Sequence, residues 1–392
     1  MSSTSQYLQL ANVTNVDAVF LFNGIDPLTE ITYTGGGTTE WRLYDGSFYS
    51  NQASVSPDDA TGYIVRVNGT NAYWIWVIDC SLYPVVYDNL QVSYNQPNPC
   101  ENLILEASLT VPDLVYYDKN NVRRILPRTF TLKYTDYEFA SESWQDKPVS
   151  NTYEYPFSPV TLPAPKKDVT FTLSGDNYAA EMGLAADSIQ VDYLAVAVAV
   201  HPKGTIEERA GMNEYERSDE SQTVLKGSGP LVISFESRAN VPVAAFFEWI
   251  VYDEATPQSY YRYNDENLRY TFKKTGDYIA KLTAKSAGGC EAIDSLRINV
   301  TESLLEVPNA FSPNGDGMND EFRVVFRSIA TFNIAVYNRW GKVVYKGTDP
   351  SKGWNGRING KEAAAGGYYY LIEAVGTDGT KYHRRGHVAL FR

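Results

Sequence analysis

The 392-residue sequence predicts an all-β protein built from several consecutive β-sandwiches. Short runs of β-branched and aromatic residues, such as "TGYIVRV" and "TFTLKYT", recur roughly every ten residues and are separated by Gly, Pro, Asn and Asp. Amphipathic helical spacing is scarce, and the 30 tyrosines suit half-exposed strand positions. A chain of this length corresponds to about two to four domains, each with its own core.

An internal repeat indicates that two of the sandwiches are of the same type. "EWRLYD" at 40–45 and "EWIVYD" at 248–253 share Glu, Trp, Tyr and Asp at identical spacing, and "TGYIVRV" and "TGDYIAKL" follow them. Strand alternation places Trp41 with Leu43, and Trp249 with Val251, on one face of a strand. We therefore predict that both tryptophans fill cores, in sandwiches near residues 6–95 and 224–302.

These signals predict five segments. They are an immunoglobulin-like first domain at 1–96, a β-sandwich of unknown family at 97–202, a polar linker or exposed excursion at 203–223, a second copy of the first type at 224–302, and a small C-terminal sandwich at 303–392. The linker prediction depends on "IEERAGMNEYERSDESQ", which is too polar and charged for a core.

Charge and hydropathy exclude several classes of protein. The formal net charge is −13, with 22 Lys+Arg against 39 Asp+Glu in residues 1–302 and 12 against 8 in residues 303–392. An acidic chain is not expected to bind nucleic acid or an anionic membrane. The longest apolar run, "LAVAVAV" at 194–200, is too short for a membrane-spanning helix. No signal peptide opens the sequence, so we expect any export signal to lie outside it.

The three cysteines are too few for a disulfide scaffold. Cys80 ends one strand and Cys100 opens another, so we predict a bridge between them across the first interdomain joint, with Cys290 left as a buried free thiol.

The residues offer little support for an enzyme. His201, His383 and His387 do not form a triad or HExxH pattern, and no nucleotide-binding or nucleophile-elbow motif is present. A glycosidase that uses only carboxylates stays open as an alternative. We expect no catalytic residue and no cofactor.

The C-terminal ninety residues carry five motifs in order: "VPNAFSPNGDGMNDEF", "YNRWGKVVYKG", "GWNGRINGK", "GGYYYLIEA" and "GHVALFR". Together they resemble the gliding-motility-associated C-terminal domain, the type B sorting domain of the Bacteroidetes type IX secretion system. Met318 and Phe391 depart from the usual family residues. The segment from "EWIVYD" to "AGGCEAIDSLRINV" resembles a PKD-type immunoglobulin-like domain.

The resemblance marks a set of sorting-domain residues, among which the glycines are expected to meet backbone requirements and the tryptophans to pack in the core or at its rim. The set is Pro308, Asn309, Phe311, Ser312, Pro313, Asn314, Gly315, Asp316, Gly317, Asn319, Asp320, Arg339, Trp340, Gly341, Trp354, Gly356, Gly367, Tyr368, Gly386 and Arg392. From their charge, Arg339, Arg384, Arg385 and Arg392 are candidate partner contacts.

The loop "SPNGDGMND" has two possible interpretations. Asn314, Asp316, Asn319 and Asp320 are hard oxygen ligands of the kind that calcium prefers. The spacing is not that of an EF-hand, and Asx turns explain the same residues without a metal. We favour the metal-free turn.

The resemblance implies an exported, cell-surface protein of the type IX secretion and gliding-motility system. Its C-terminal domain would direct secretion and retention through an outer-membrane partner, a PorP/SprF-type barrel. The preceding domains would have a non-enzymatic role as an adhesin, a motility component or an accessory of the machinery, with a surface glycan or protein as ligand. The alternative is a secreted carbohydrate-binding or polysaccharide-degrading protein.

Overall fold

The computed structural model describes residues 2–3, 6–11, 13–93, 98–184, 187–207 and 224–392. The chain divides into two compact units, Met1–Ala197 and Val198–Arg392. Strands dominate both units. The described residues contain a 3-10 turn at Cys80–Leu82 and one short helix, α1, at Asn177–Glu181. None of these described helical segments is long and apolar enough to cross a membrane. The predicted all-β fold class is confirmed.

The first sandwich pairs a six-stranded sheet, in the order β2-β3-β9-β8-β5-β6, with a three-stranded sheet, β1-β4-β7. Its core contains Trp41, which is fully buried and donates its indole N–H to the Gln52 carbonyl at 3.0 Å. The strands are β1 Ser2–Ser3, β2 Tyr7–Ala11, β3 Ala18–Phe22, β4 Ile31–Thr32, β5 Thr39–Leu43, β6 Phe48–Ser50, β7 Ser54–Val55, β8 Thr61–Val67 and β9 Thr70–Asp79.

The second sandwich contains sheets in the orders β10-β11-β16 and β15-β14-β17-β18, and a separate hairpin, β12-β13. Its strands are β10 Val86–Val92, β11 Asn102–Thr110, β12 Leu114–Tyr117, β13 Arg123–Leu126, β14 Thr129–Ala140, β15 Ser143–Glu154, β16 Val160–Pro163, β17 Val169–Gly175 and β18 Asp187–Tyr193. Because β10 pairs antiparallel with β11, this sandwich begins before the boundary predicted at residues 96 and 97. The predicted boundary therefore falls between two paired strands of one sandwich.

A shared apolar cluster joins the first two sandwiches within the N-terminal unit. Trp76 and Ile78 of β9 pack with Leu114 of β12 and with Tyr178 and Met182 at α1. Beside this cluster, the buried Arg128 guanidinium is paired with the buried Asp176 carboxylate. Arg128 also donates to the carbonyls of Tyr83, at 3.2 Å, and Pro112, at 3.0 Å. The joint between these sandwiches is therefore packed.

The third sandwich combines a five-stranded sheet, β20-β26-β25-β22-β23, with a three-stranded sheet, β19-β21-β24. Its strands are β19 Lys203–Ile206, β20 Val224–Ser228, β21 Leu231–Glu236, β22 Phe246–Asp253, β23 Tyr260–Tyr263, β24 Leu268–Phe272, β25 Gly276–Lys285 and β26 Glu291–Thr301. The linker predicted at 203–223 is wrong in its first residues, because β19 pairs with β21 and Glu207 makes two 2.7 Å bonds to Arg269. The rest of that segment, 208–223, lies outside the described residues.

The repeat seen in the sequence corresponds to the same strand pairing in the two sandwiches. The strand carrying Trp41 pairs with β8, and the strand carrying Trp249 pairs with β25. In the first sandwich, β8 pairs antiparallel with β9, and β9 pairs parallel with β3 on its other side. In the third sandwich, β25 pairs antiparallel with β26, and β26 pairs parallel with β20 in the same way. Trp249 is also fully buried and donates to a backbone carbonyl, that of Glu266, at 3.2 Å. Both tryptophans fill cores, as their alternation predicts.

The C-terminal sandwich is built on the sheet β28-β35-β34-β30-β31, with two small pairs, β27-β29 and β32-β33. Alternate residues of β30, Phe332, Ile334 and Val336, are buried in its core. The strands are β27 Leu304–Glu306, β28 Ala310–Phe311, β29 Val325–Arg327, β30 Ile329–Tyr337, β31 Val343–Gly347, β32 Arg357–Ile358, β33 Lys361–Glu362, β34 Gly366–Gly376 and β35 Lys381–Leu390.

The predicted Cys80–Cys100 bridge is not formed. Cys80 is a free thiol, whereas Cys100 and Cys290 are disulfide-bonded, so the expectation of a free Cys290 is also wrong. Cys80 lies in the 3-10 turn after β9 and packs against the apolar cluster of the first joint. Burial raises the pKa of its thiol to about 12.

Candidate recognition site in the C-terminal sandwich

The loop from Val307 to Asp320 is attached to the edge of the main sheet. β28 runs parallel to the end of β35 and pairs Ala310 with Ala389 and Phe311 with Leu390. The Ala389 N–H donates to the Asn309 carbonyl at 2.9 Å, and the Phe391 N–H donates to the Phe311 carbonyl at 3.0 Å. The first part of the loop is therefore held against β35, with Phe311 buried and Pro308, Ser312 and Pro313 half-buried.

Side-chain oxygens hold the tip of this loop by bonding to its own backbone. The Asp320 carboxylate accepts the N–H groups of Gly315, at 2.7 Å, and Gly317, at 2.9 Å. Asp316 accepts the Met318 N–H at 2.8 Å, and Asn314 accepts the Asp316 N–H at 3.1 Å. Bonds to the backbone two residues further on are those of Asx turns. Gly315 and Gly317 have φ angles of 83° and 84°, which favour glycine.

Each carboxylate oxygen of Asp316 and Asp320 accepts a hydrogen bond from within the loop. The Met318 N–H and the Asn314 side chain hold the pKa of Asp316 below its ordinary value, against the opposing effect of desolvation. Within the described part of the chain, no group of three or more His, Cys, Asp or Glu side chains is arranged to hold a metal ion. Asn319 has a φ of 51° and contributes its carbonyl, which accepts the Ser312 N–H at 2.9 Å.

A second group of motif residues forms a buried corner behind the loop. Trp354 is 1% exposed, packs on Phe311 and Tyr368 with ring centroids 5.5 and 4.8 Å away, and donates its indole N–H to the Arg357 carbonyl. Gly356 has a φ of 72°, and a Cβ there would lie 3.0 Å from both Leu390 and Pro313. Only a glycine fits this corner without displacing the loop.

The terminal Arg392 closes the same corner. Its guanidinium donates to the carbonyls of Gly356, at 3.1 Å, and Ala363, at 3.2 Å, and forms an ion pair with Glu362. The C-terminal motif therefore has a packing role in this corner. Because its guanidinium is bonded within the sandwich, Arg392 is less available to contact a partner.

The motif "NRWG" forms the turn between β30 and β31, and here one packing expectation is wrong. The side chain of Asn338 accepts the N–H groups of Trp340 and Lys342, both at 3.0 Å, while the Gly341 N–H donates to the Asn338 carbonyl at 2.9 Å. Trp340 is nevertheless 74% exposed, and the Arg339 guanidinium stacks 4.2 Å from its ring. A strand pattern does not extend into a turn, so alternation gave no information on the direction of Trp340.

The remaining motif residues and arginines lie on β34 and β35. Tyr368 is buried and donates to the Ala364 carbonyl, whereas Gly367 is exposed. Gly386 lies beneath Tyr370, whose hydroxyl would be 2.6 Å from a Cβ at that position. Arg384 and Arg385 are both exposed, and Arg384 lies over the ring of Tyr382 at 5.4 Å.

The connection to the third sandwich is held by residues that the sequence analysis missed. Asp378 accepts the Ser303 N–H at 2.7 Å and its hydroxyl at 2.9 Å, while the Tyr382 hydroxyl donates to the Ser303 carbonyl at 2.6 Å. Ser303 and Tyr382 are both buried. The dipeptide "DG" at 378–379 is a turn signal, but its contact with Ser303, 75 residues away, could not be read from local sequence.

The third sandwich also touches the C-terminal sandwich directly. The Ser228 and Ser328 hydroxyls share a hydrogen bond, and the Thr377 hydroxyl donates to the Gly229 carbonyl. Together with the Ser303 contacts, these bonds hold the two sandwiches of the C-terminal unit against each other.

Comparison with known families identifies two of the four sandwiches. Residues 305–390 match the CHU_C type IX secretion signal domain, and residues 91–191 match a fibronectin type III domain. No curated protein sequence matches the chain. The C-terminal sandwich is therefore a type IX secretion signal domain, the second sandwich is fibronectin type III-like, and the protein is an exported one.

Comparison with solved structures finds several that are similar to the chain. A tetra-tandem repeat from the extending region of a large adhesion protein is 13% identical, with a TM-score of 0.24, and the match covers 95% of this chain and 98% of that one. The FN1–FN3 domains of chicken CNTN1 are 11% identical over 79% and 100%, with a TM-score of 0.29. Dimeric latent PorU from Porphyromonas gingivalis is 10% identical over 83% and 36%, with a TM-score of 0.16. At these TM-scores the likenesses carry no conclusion about function.

Proposed function

We propose that this protein is displayed on the cell surface as a non-enzymatic binding or structural component, and that its C-terminal sandwich directs both its secretion and its retention. The observation that carries the proposal is the match of residues 305–390 to a type IX secretion signal domain. The partner at the outer membrane would be a PorP/SprF-type barrel, as the sequence resemblance implies. The earlier sandwiches, of which the third is PKD-like by its sequence, would then present an adhesive or motility-linked surface.

The proposal is tested by deleting the C-terminal sandwich and, separately, by fusing the C-terminal unit to a reporter. Deleting residues 303–392 should leave the earlier sandwiches folded but retained in the periplasm of a host with an intact type IX system. A reporter with a periplasmic export signal should reach the surface when fused to residues 198–392. The fusion starts at 198 because the third sandwich bonds to Ser328 and Thr377 of the C-terminal sandwich. Surface display of the truncated protein, measured by protease accessibility on intact cells, would reject the assignment.

A second candidate function, carbohydrate binding, is favoured by exposed tyrosines on the two faces of one edge strand of the third sandwich. Tyr260 and Tyr261 on the edge strand β23 are 50% and 62% exposed, and Tyr261 lies beside Tyr270 with ring centroids 6.0 Å apart. Exposed tyrosine rings on a rigid strand are suited to stacking on sugars. A glycan array with the full chain, a Tyr260→Ala/Tyr261→Ala variant and a hydrolysis assay would separate the possibilities. Binding that the variant loses, without hydrolysis, supports a lectin-like role, whereas hydrolysis would reject the non-enzymatic proposal.

A further inference from the structure

One face of the main sheet of the C-terminal sandwich carries exposed apolar side chains. Residues of one parity on β30, β34 and β35, such as Val336, Ile372 and Val388, are fully buried in the core. Residues of the other parity therefore point away from the core. They include Tyr369, which is 57% exposed, and Leu371, which is 43% exposed.

Strand register makes these outward residues contiguous. Tyr369 is paired with Tyr337 on one side and His387 on the other, and Leu371 is paired with Ala335 and Arg385. One strand further, Tyr337 is paired with Val343. Neighbouring strands are about 4.8 Å apart, so the apolar residues form a continuous surface. We name the exposed Val343, Tyr369 and Leu371, together with the exposed Trp340 of the adjoining turn, the tryptophan face.

The rim of the tryptophan face is basic. Arg339 and Lys342 lie in the turn beside Trp340, while Lys346 and Arg385 are at the register positions next to Ala335 and Leu371. Among the described residues at the outward register positions of β30, β34 and β35, Glu373 is the acidic one. The basic rim agrees with the 12 Lys+Arg against 8 Asp+Glu of residues 303–392 and contrasts with the acidic remainder of the chain.

The turn presents Trp340 in a defined position. Three hydrogen bonds from backbone N–H groups to Asn338 fix the turn, and the stacked Arg339 restricts the indole. Ordering these side chains before binding lowers the entropy that binding must overcome. Tryptophan and arginine are also the residues most enriched among those that dominate protein interfaces. Contiguous apolar surface with a charged rim is typical of an interaction site, in contrast to single exposed apolar residues.

We propose that the tryptophan face is the docking surface for a protein of the secretion machinery that presents an apolar pocket with an acidic rim, and that Trp340 contacts this partner. This inference rests on the proposed sorting function of the C-terminal sandwich. Charge complementarity selects the partner, because the basic rim would repel another basic surface and attract an acidic one.

The test compares export of full-length variants in a host with an intact type IX system. Trp340→Ala should reduce the surface-exposed fraction at least tenfold, and the charge reversal Arg339→Glu/Arg385→Glu should reduce it similarly. Ile293→Ala is the matched control, because Ile293 is an apolar side chain that is 52% exposed on β26 of the third sandwich and lies outside the tryptophan face. Its export should equal that of the unchanged protein. Calorimetry of each purified variant should show unchanged unfolding temperatures, and Leu371→Asp supplies a second disruption of the face.

The outcomes separate this inference from the function on which it rests. Loss of export on deletion of 303–392, combined with normal export of Trp340→Ala and Leu371→Asp, would overturn the inference and leave the sorting function standing. Normal export of the deletion would overturn the sorting function itself. Two other occupants are tested directly with the purified full chain. A concentration-dependent dimer in sedimentation, or binding to phosphatidylglycerol vesicles, that Trp340→Ala abolishes would assign the face to a second copy or to a membrane and overturn the proposal.

Discussion

Replacing Asp378 with alanine should loosen the connection between the two C-terminal sandwiches. The carboxylate accepts two bonds from Ser303, at 2.7 and 2.9 Å, and one from the Thr380 N–H at 2.9 Å. A hydrogen bond to a charged group contributes about 1.5–3 kcal/mol, and Asp378 is only partly buried. Counting the two Ser303 bonds and allowing for water that replaces them, we expect a loss of about 2–4 kcal/mol. Asp378→Asn keeps an acceptor oxygen and should lose about half as much.

The effect should depend on pH in a defined direction. Desolvation raises the pKa of Asp378, but the hydrogen bonds from Ser303 and Thr380 outweigh it, so the pKa in the folded protein lies below the ordinary value. A carboxyl group with a lowered folded pKa stabilises above its unfolded pKa, which is about 3.9, and loses that stabilisation as the pH falls through the folded value. The difference between the unchanged protein and Asp378→Ala should therefore be constant near neutral pH and shrink below about pH 4.

Hydrogen exchange and calorimetry of the full chain measure both effects. Exchange of the amides of β27, Leu304–Glu306, should accelerate in Asp378→Ala because the strand follows Ser303 directly. Asp349→Ala is the control, since Asp349 accepts comparable local bonds from Ser351 but holds no distant segment. Unchanged β27 exchange in Asp378→Ala, or equal acceleration in the control, would refute the reasoning.

Four further predictions concern other sites. Asp320→Ala should destabilise the C-terminal sandwich by about 1–2 kcal/mol, because the bonds from the Gly315 and Gly317 N–H groups are lost. Calcium should not change the melting temperature of the unchanged protein. A calcium-induced rise that chelator reverses, and that Asp316→Ala or Asp320→Ala removes, would indicate a metal site instead. Arg128→Met should destabilise the N-terminal unit by about 3–5 kcal/mol, because it leaves the buried Asp176 carboxylate without its ion-pair partner. Calorimetry of the double variant Arg128→Met/Asp176→Leu should show that most of the lost stability returns. If no stability returned, the pairing argument would be wrong. Cys80 should resist iodoacetamide at pH 8 until the protein is unfolded, since burial raises its pKa to about 12; rapid labelling of the native chain, detected by mass spectrometry, would contradict this. Tyr44→Phe should leave stability unchanged or raise it, because the buried Tyr44 hydroxyl has no hydrogen-bond partner among the residues that the structure describes. A loss above about 1 kcal/mol in the thermal unfolding of the N-terminal unit would show that the hydroxyl is satisfied in solution.

Strand alternation predicted the parts of this structure that depend on local pattern. The buried Trp41 and Trp249, and the core-facing Phe332, Ile334 and Val336, follow from a period of two and from one face being covered. The loop "SPNGDGMND" was predicted as a turn because its side chains bond within a few residues of themselves. In each case the energetic reason lies within a short stretch of chain.

Features that depend on distant partners could not be predicted in this way. The states of Cys80, Cys100 and Cys290 depend on which parts of the chain fold together, and cysteine spacing does not determine that. Strand β19 lies at the start of a segment whose sequence is polar and charged, and Ile206 is its one large apolar residue. A strand that pairs with a neighbour such as β21 needs few apolar residues of its own. The clamp on Ser303 joins residues 75 positions apart, beyond any local pattern.

The motif of the C-terminal sandwich combines two kinds of residue that the structure separates. Trp354 and Gly356 are buried in the corner that holds the loop, so their substitution should lower stability and export together. Arg339 and Trp340 are exposed at the end of a turn that does not need their side chains for its own hydrogen bonds. Their substitution should lower export while leaving stability unchanged. A variant series that plots export against unfolding temperature should therefore fall on two branches, and a single common branch would mean that recognition responds only to whether the sandwich is folded.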